Sequence, residues 1–350
     1  MIREIFQLFL KLGLLGFGGP AVHISMMRDE VVVKRQWLTE KDFLDLVGAT
    51  NLIPGPNSTE LAIHIGHRMA GRWGMLTAGI SFILPAFISV LAFAVVYDRY
   101  GYLPKFSSIL EGIRPVVTAI VILALIKFRR NAVPDWWRVF LALLSGGASL
   151  YISEAAVIFL AGFLALISQP GKKLSVTPEL FFVFLKLGSL LFGSGYVLLA
   201  FLQDELIDHR QWLTQAQLLD AVSVGQFTPG PVFTTATFVG YVMEGFPGAF
   251  VATIGIFLPS FLFVAISIPF LARIRSSENF SNFLDGIIAG SFALMVVVTW
   301  SLGRAALFDW KTAFICIVAF GILWRFPKIN SAWLILCGGS VGYIFFPHLS

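Results

Sequence analysis

The sequence predicts an all-α polytopic membrane protein of two inverted-topology repeats. Three observations carry that expectation: an apolar composition, an internal duplication and a pair of Pro-Gly-Pro helix breaks. Of the 350 residues, 57% are hydrophobic and 13% charged, where a soluble chain is about a quarter charged. Mean hydropathy is +0.83. The net charge of +5 comes with no basic arm and no interleaved aromatic-basic surface, so no nucleic-acid partner is expected. Basic residues cluster instead in short loops between apolar runs, a topological signal. Cys316 and Cys337 both fall in apolar stretches, which supplies neither a disulfide framework nor a metal site. No cofactor, metal or catalytic residue is expected. Residues 1–24 resemble a signal peptide in placing Arg3 before an apolar run, but Glu4 and Lys11 interrupt it. Because the segment recurs near residue 186, it is kept as mature protein.

The duplication assigns residues 1–174 to a first repeat and 175–350 to a second. Lys11-Leu12-Gly13 aligns with Lys186-Leu187-Gly188, Phe17-Gly18 with Phe192-Gly193, and Pro54-Gly55-Pro56 with Pro229-Gly230-Pro231, all at an offset of 175. Between 29–47 and 204–222 ten of nineteen positions are identical, where chance gives about one or two. That stretch includes Arg35-Gln36-Trp37-Leu38-Thr39 against Arg210-Gln211-Trp212-Leu213-Thr214. A one-residue deletion then sets Pro85 on Pro259, Glu111-Gly112-Ile113 on Asp285-Gly286-Ile287, and Asp135 on Asp309.

Apolar runs long enough to approach the width of a bilayer occur in the first half at 5–24, 74–97, 108–128, 136–150 and 153–169. The second half mirrors them at 179–201, 248–271, 283–303, 311–325 and 331–347, which makes about five transmembrane helices per repeat. Between the first two spans of each half, a helix opens at Thr39-x-x-Asp42 or Thr214-x-x-Gln217, a spacing that lets the threonine cap the helix. It then meets Pro-Gly-Pro, where prolines remove amide donors and glycine permits dihedrals closed to other residues. Short apolar helices follow at 58–66 and 233–243. Each pair reads as a re-entrant helical hairpin with its tip at the break. Five spans plus a hairpin that returns to its own side leave the second half inverted.

The charges agree with that topology. With the first terminus outside, Arg28, Lys34, Arg35, Lys41, Arg68 and Arg72 are among many basic residues inside. Only Arg3, Arg99, Lys105, Arg210, Arg304 and Lys311 fall outside. The loop 28–42 is rich in basic residues, whereas its counterpart 204–220 carries Asp204, Glu205, Asp208 and Asp220 against Arg210.

Helices that end within a membrane aim free amides and partial positive charge at a central site, which suits an anion. Asn57, Ser58 and Thr59 follow the first break, and Thr234 and Thr235 the second. Two such tips make a cradle for one tetrahedral dianion; helix capping alone is the plainer reading of the same residues. The first spans carry Gly13, Gly16, Gly18, Gly19 and Pro20 against Gly188, Gly193 and Gly195. Gly-Gly-Pro favours an unwound segment in the first half, and close helix packing alone is expected in the second. Lys11 and Lys186 occupy matched intramembrane positions, as counter-charges for the anion or as residues reaching to the interface. His23, Glu60 and His64 form a titratable set in the first half, replaced by Leu198, Thr235 and Val239 in the second. They are candidates for proton coupling, and a structural carboxylate-imidazole pair is the competing reading.

These motifs together resemble the chromate ion transporter family in its two-domain form. The resemblance lies in Gly16-Phe17-Gly18-Gly19-Pro20 with His23, in Trp37-Leu38, and in Asn51 through Asn57 around Pro-Gly-Pro. Phe192-Gly193-Ser194-Gly195 and Gly225 through Pro231 complete it. The resemblance implies an inner (cytoplasmic) membrane transporter that exports chromate, with sulfate as a competing anion of similar shape. The expected partners are thus the oxyanion and the lipid bilayer, with a second copy of the chain as a homodimer candidate. A membrane enzyme or flippase acting on lipid phosphates is the alternative class, with Glu60 and Arg68 at the tip. The second half offers no matching Glu/Arg pair for it.

Overall fold

The computed structural model describes residues 1–17, 20–50, 53–100, 104–132, 176–191, 198–268, 306–326 and 331–345, with a few single positions between. The expected spans at 136–150 and 153–169, most of 283–303, and Gly18, Gly19, Gly193 and Gly195 lie outside them. Every element among the described residues is helical. Among the described residues three helical stretches are long and apolar enough to cross a membrane, Asn57–Tyr100, Ser108–Lys127 and Val232–Ser267.

Helix α1 (Ile2–Leu15) buries Ile5, Leu8, Phe9, Leu12 and Gly13, one face at helical spacing, against the following hairpin. A Cβ on Gly13 would sit 2.5 Å from the carbonyl oxygen of Phe82, so only glycine allows this approach. The helix leaves its path at Gly16 (φ −77°, ψ 75°) and the chain becomes helical again at Pro20. A proline is suited to that restart because the first helical turn has no use for its missing amide. Helix α2 (Pro20–Arg28) widens into a π turn, Asp29–Lys34, and α3 (Glu40–Thr50) follows behind a Thr39 cap.

The second half repeats this course. Helix α6 (Val176–Leu190) ends where α1 ends, and α7 (Leu198–Leu202) widens into a π turn, Gln203–His209. Helix α8 (Gln215–Phe227) opens on a reciprocal Thr214/Gln217 capping box. Close packing alone was expected in this half. Gly188 does lie against the backbone of Ile256, and α6 ends at Leu190, with residues 192–197 outside the described ones.

The five-residue identity around Trp37 and Trp212 has a physical reason at each position. Arg35 and Arg210 reach back to Glu30 and Glu205 and lie 5.1 and 5.4 Å from the Trp37 and Trp212 ring centres. Gln36 and Gln211 both take φ 53°. That turn lets the Trp37 amide donate to Val31 at 2.8 Å and the Trp212 amide to Leu206 at 2.7 Å. Leu38 and Leu213 are buried, and the threonines cap the next helix.

Helix α4 (Asn57–Tyr100) is 44 residues long and reverses at Ala70–Gly71, where Gly71 has φ 58°. Gly66 and Gly74 would lie about 12 Å apart along a straight helix. Their backbones touch instead, so arms 57–69 and 72–100 fold against each other. In α9 (Thr235–Ser267) the reversal falls at Glu244–Gly245, Gly240 meets Gly248, and the Thr237 and Thr253 hydroxyls bond at 2.7 Å across the arms. The short helices expected at 58–66 and 233–243 are the first of these arms.

Helix α1 packs on α4, α6 packs on α9, and the two hairpins meet in the middle. Phe87 and Phe250 (4.9 Å), Phe93 and Phe227 (5.4 Å) and Tyr97 and Phe238 (5.0 Å) interleave there edge to face. Helix α5 (Pro104–Ala132) carries α10 (Trp310–Arg325) and α11 (Ser331–Phe345) on its flank, and its Gly112 lies against Gly338 and Gly342. Outward-facing Trp73, Ile80, Ile88, Phe250, Ile266 and Ile317 leave an apolar surface suited to lipid.

Two residues counted above as acidic loop charges belong to the interior. Glu205 is buried beside Lys186, and Asp220 is buried in α8. The charge contrast between the paired loops therefore rests on Asp204 and Asp208.

Candidate functional site

Within each Pro-Gly-Pro the glycine carries the only amide, because proline has none. Each glycine spends that amide on the opposite half. Gly55 (φ 137°) donates to the Leu191 carbonyl at 2.6 Å, and Gly230 (φ 94°) donates to the Gly16 carbonyl at 2.9 Å. Leu191 and Gly16 are themselves equivalent positions at the offset of 175, each just past the end of the first helix of its half. Packing follows the same exchange. A Cβ on Gly55 would meet the Ser260 hydroxyl at 2.6 Å, and one on Gly230 would meet the Ala86 methyl at 2.7 Å. Ser260 and Ala86 each follow the matched prolines, Pro259 and Pro85. Contacts in which i meets j′ while j meets i′ are the mark of a two-fold relation. The ends of α1 and α6 and both Pro-Gly-Pro breaks converge on this junction.

The first tip is the more polar. Asn57 opens α4, and the Pro56 carbonyl accepts the amides of Thr59 (2.7 Å) and Glu60 (3.1 Å). His23 sits over the tip with Nε2 2.8 Å from the Gly16 carbonyl and Nδ1 3.2 Å from Ser58 Oγ. A Cβ on Gly16 would collide with the His23 ring at 2.6 Å, which explains this glycine. Glu60 is fully buried beside Gly55 with Ser260 as a polar neighbour, yet neither carboxylate oxygen meets a partner in hydrogen-bond geometry among the described residues. The Thr59 hydroxyl and His64 Nε2 are likewise buried without a partner there. Buried polar atoms left this way are uncommon and mark places where a proton or ligand changes the balance.

The second tip spends its hydroxyls on itself. Thr234 donates to the Pro231 carbonyl at 2.7 Å and Thr235 to the Val232 carbonyl at 2.8 Å, and the Thr234 side chain makes no capping bond to the start of α9. Their lone pairs, not their protons, face outward in this arrangement.

Lys11 and Lys186 do not stand free. Lys11 Nζ lies 2.9 Å from Glu30, which also receives Lys34 at 3.0 Å, and Lys186 Nζ lies 2.6 Å from Glu205. Glu30 is in the turn after α2, outside the spans. Burial pushes its carboxyl upward, but hydrogen bonds and charge from Lys11 and Lys34 overcome that and hold it down at about 2. Both lysines thus tie the first helix of a half to the turn before its Pro-Gly-Pro hairpin. Sequence reasoning passed over their partners, although a Lys and a Glu recur nineteen residues apart in both halves.

An ionic contact also joins the halves. Arg114 in α5 forks onto Asp220 in α8 at 2.8 and 2.9 Å, and Tyr97 donates to the same carboxylate at 3.0 Å. The signal was an arginine inside the apolar run 108–128 and an aspartate inside the apolar run after Gln217.

Broken helices meeting head to head at a buried polar junction define a helical membrane protein of the transporter class. The chain belongs to the chromate transporter family, whose model matches residues 3–167 and again 178–343. It is 29% identical to the chromate transport protein of Cupriavidus metallidurans, over 99% of this chain and 94% of that one. The chromate transport protein of Pseudomonas aeruginosa is 30% identical over 99% of this chain and 92% of its own length. The probable chromate transport protein of Synechococcus elongatus is 29% identical over 98% and 95%. No solved structure matches the chain. Members of this family are transporters rather than enzymes, which disposes of the lipid-phosphate enzyme reading.

Proposed function

We propose that the chain is a secondary carrier that exports chromate across the cytoplasmic membrane by alternating access, with the dianion held between the two Pro-Gly-Pro tips. The observation that carries this is the reciprocal bonding of Gly55 to Leu191 and Gly230 to Gly16. Two halves that hold each other through one matched set of contacts can rock about that junction, the breaks parting on one side as they close on the other. In this reading repeats 1–174 and 175–350 lie inverted, and each helix–break–helix unit is a re-entrant hairpin. The start of α4 brings Asn57, Ser58 and Thr59 to the anion with the positive end of the helix behind them. Thr234 and Thr235 face it from the other tip once their hydroxyls turn from their own carbonyls. The fully buried Glu60, with His64 and His23, takes part in proton coupling.

An inside-negative potential favours outward movement of a dianion by about 2.3 kcal/mol per charge per 100 mV. In inside-out vesicles, where export is read as uptake, a lumen-positive potential should therefore accelerate chromate accumulation. Sulfate, with similar charge and shape, should compete. Accumulation of chromate indifferent to the imposed potential contradicts electrogenic export, and a flux of sulfate with none of chromate contradicts the substrate.

A further inference from the structure

We infer that His23 sets the direction in which the Ser58 hydroxyl donates, and thereby ties oxyanion affinity at the tips to one proton. The inference rests on the tip site proposed above and adds to it the group that couples the proton.

The geometry assigns every hydrogen. The Gly16 carbonyl can only accept, so the contact at 2.8 Å requires the proton on His23 Nε2. In the neutral ring Nδ1 is then an acceptor, and at 3.2 Å its donor is the Ser58 hydroxyl. Ser58 in this state turns its proton toward the imidazole and leaves lone pairs for anything at the tip, an arrangement hostile to an anion. Adding a proton to Nδ1 makes both ring nitrogens donors. The Gly16 bond is untouched, Ser58 becomes the acceptor of the Nδ1 hydrogen, and its own O–H is released to donate to the oxyanion. The same proton brings a positive charge next to the site. Phe82, edge-on to the ring at 5.3 Å, and the Nε2 bond to Gly16 at 2.8 Å hold the imidazole in place, so the hydroxyl rather than the ring must turn.

The relay exists in one half only, since Leu198 stands where His23 would fall. It touches both, because the Gly16 carbonyl that receives Nε2 also receives the Gly230 amide. Other charged groups on the packed elements are accounted for. On α1, Lys11 is held by Glu30; on α2, Arg28 is held by Glu40 at 2.7 Å; α4 brings Glu60 and His64 within two turns of Ser58; the break at 229–231 brings none.

The test is chromate affinity, measured by equilibrium binding to the full-length protein in nanodiscs between pH 5.5 and 8.5, for wild type, His23→Gln and Ser58→Ala. Comparing proteins at each pH cancels the protonation of chromate itself. Glutamine retains an amide donor for Gly16 but no titrating proton. The wild-type advantage over His23→Gln should therefore widen as pH falls, by up to about tenfold per pH unit for one linked proton. The advantage over Ser58→Ala, in which His23 still titrates and keeps its charge but has no hydroxyl to turn, should widen in the same direction by a smaller factor. Ratios that stay constant with pH in either variant overturn the relay while leaving the tip site standing. Wild-type protein that binds no chromate at any pH overturns the tip site, and the relay with it.

Discussion

The amide of Gly55 meets the carbonyl of Leu191 at 2.6 Å, and the equivalent Gly230 amide returns the bond to Gly16 at 2.9 Å. Neither contact is local, and together they fix how the two halves face each other. Gly230 holds a φ of 94° with the Ala86 methyl 2.7 Å from where a Cβ would sit. Gly230→Ala should thus meet backbone strain of about 1–2 kcal/mol and overpacking of about 1–3 kcal/mol. Gly245→Ala is the control, because Gly245 has φ 62° but open space around it, leaving strain alone. Thermal unfolding in detergent should place Gly230→Ala clearly below Gly245→Ala.

Acid should act through Glu30. Its folded carboxyl titrates at about 2 against an ordinary 4.5. A depressed value stabilises the fold above pH 4.5, and the gain is lost as pH falls toward 2. Glu30→Gln should melt below wild type at neutral pH, and the gap should close across that window. A gap that stays constant contradicts the ionic role.

Lys11 and Lys186 are about half exposed even while paired, and without them Glu30 keeps Lys34 and Arg35 and Glu205 keeps Arg210. Lys11→Ala and Lys186→Ala should then cost little stability and leave the apparent affinity for chromate near wild type in a vesicle assay. A large rise in KM would restore them as counter-charges of the anion.

The Arg114–Asp220 fork joins the halves where both groups are screened from water, with Asp220 only 2% exposed. Asp220→Asn leaves a buried guanidinium without its partner, at a cost of about 3–5 kcal/mol. Arg114→Gln combined with Asp220→Asn should recover part of that loss, read as coupling in a double-mutant cycle on thermal stability.

The helical content, the duplication and the breaks were legible because each is written locally. Proline and glycine punctuate Pro54-Gly55-Pro56 and Pro229-Gly230-Pro231, and a threonine three residues before a polar side chain announces α3 and α8. The reversals at Ala70–Gly71 and Glu244–Gly245 were visible only as a polar gap between two apolar stretches. The partners of Lys11 and Arg114 were not read, because ion pairs between distant segments depend on which helices meet. Glu205 and Asp220 looked like loop charges until folding buried them. The exchange of the Gly55 and Gly230 amides had no sequence signature beyond the glycines, since a backbone carbonyl carries no residue identity.

Chromate uptake into inside-out vesicles by a Ser58→Ala, Thr234→Ala double variant tests the central claim most directly, because it removes one hydroxyl from each tip while leaving every ion pair in place. A site shared by the tips predicts uptake reduced at least tenfold, with protein abundance and melting temperature close to wild type. Uptake equal to wild type would place the oxyanion elsewhere.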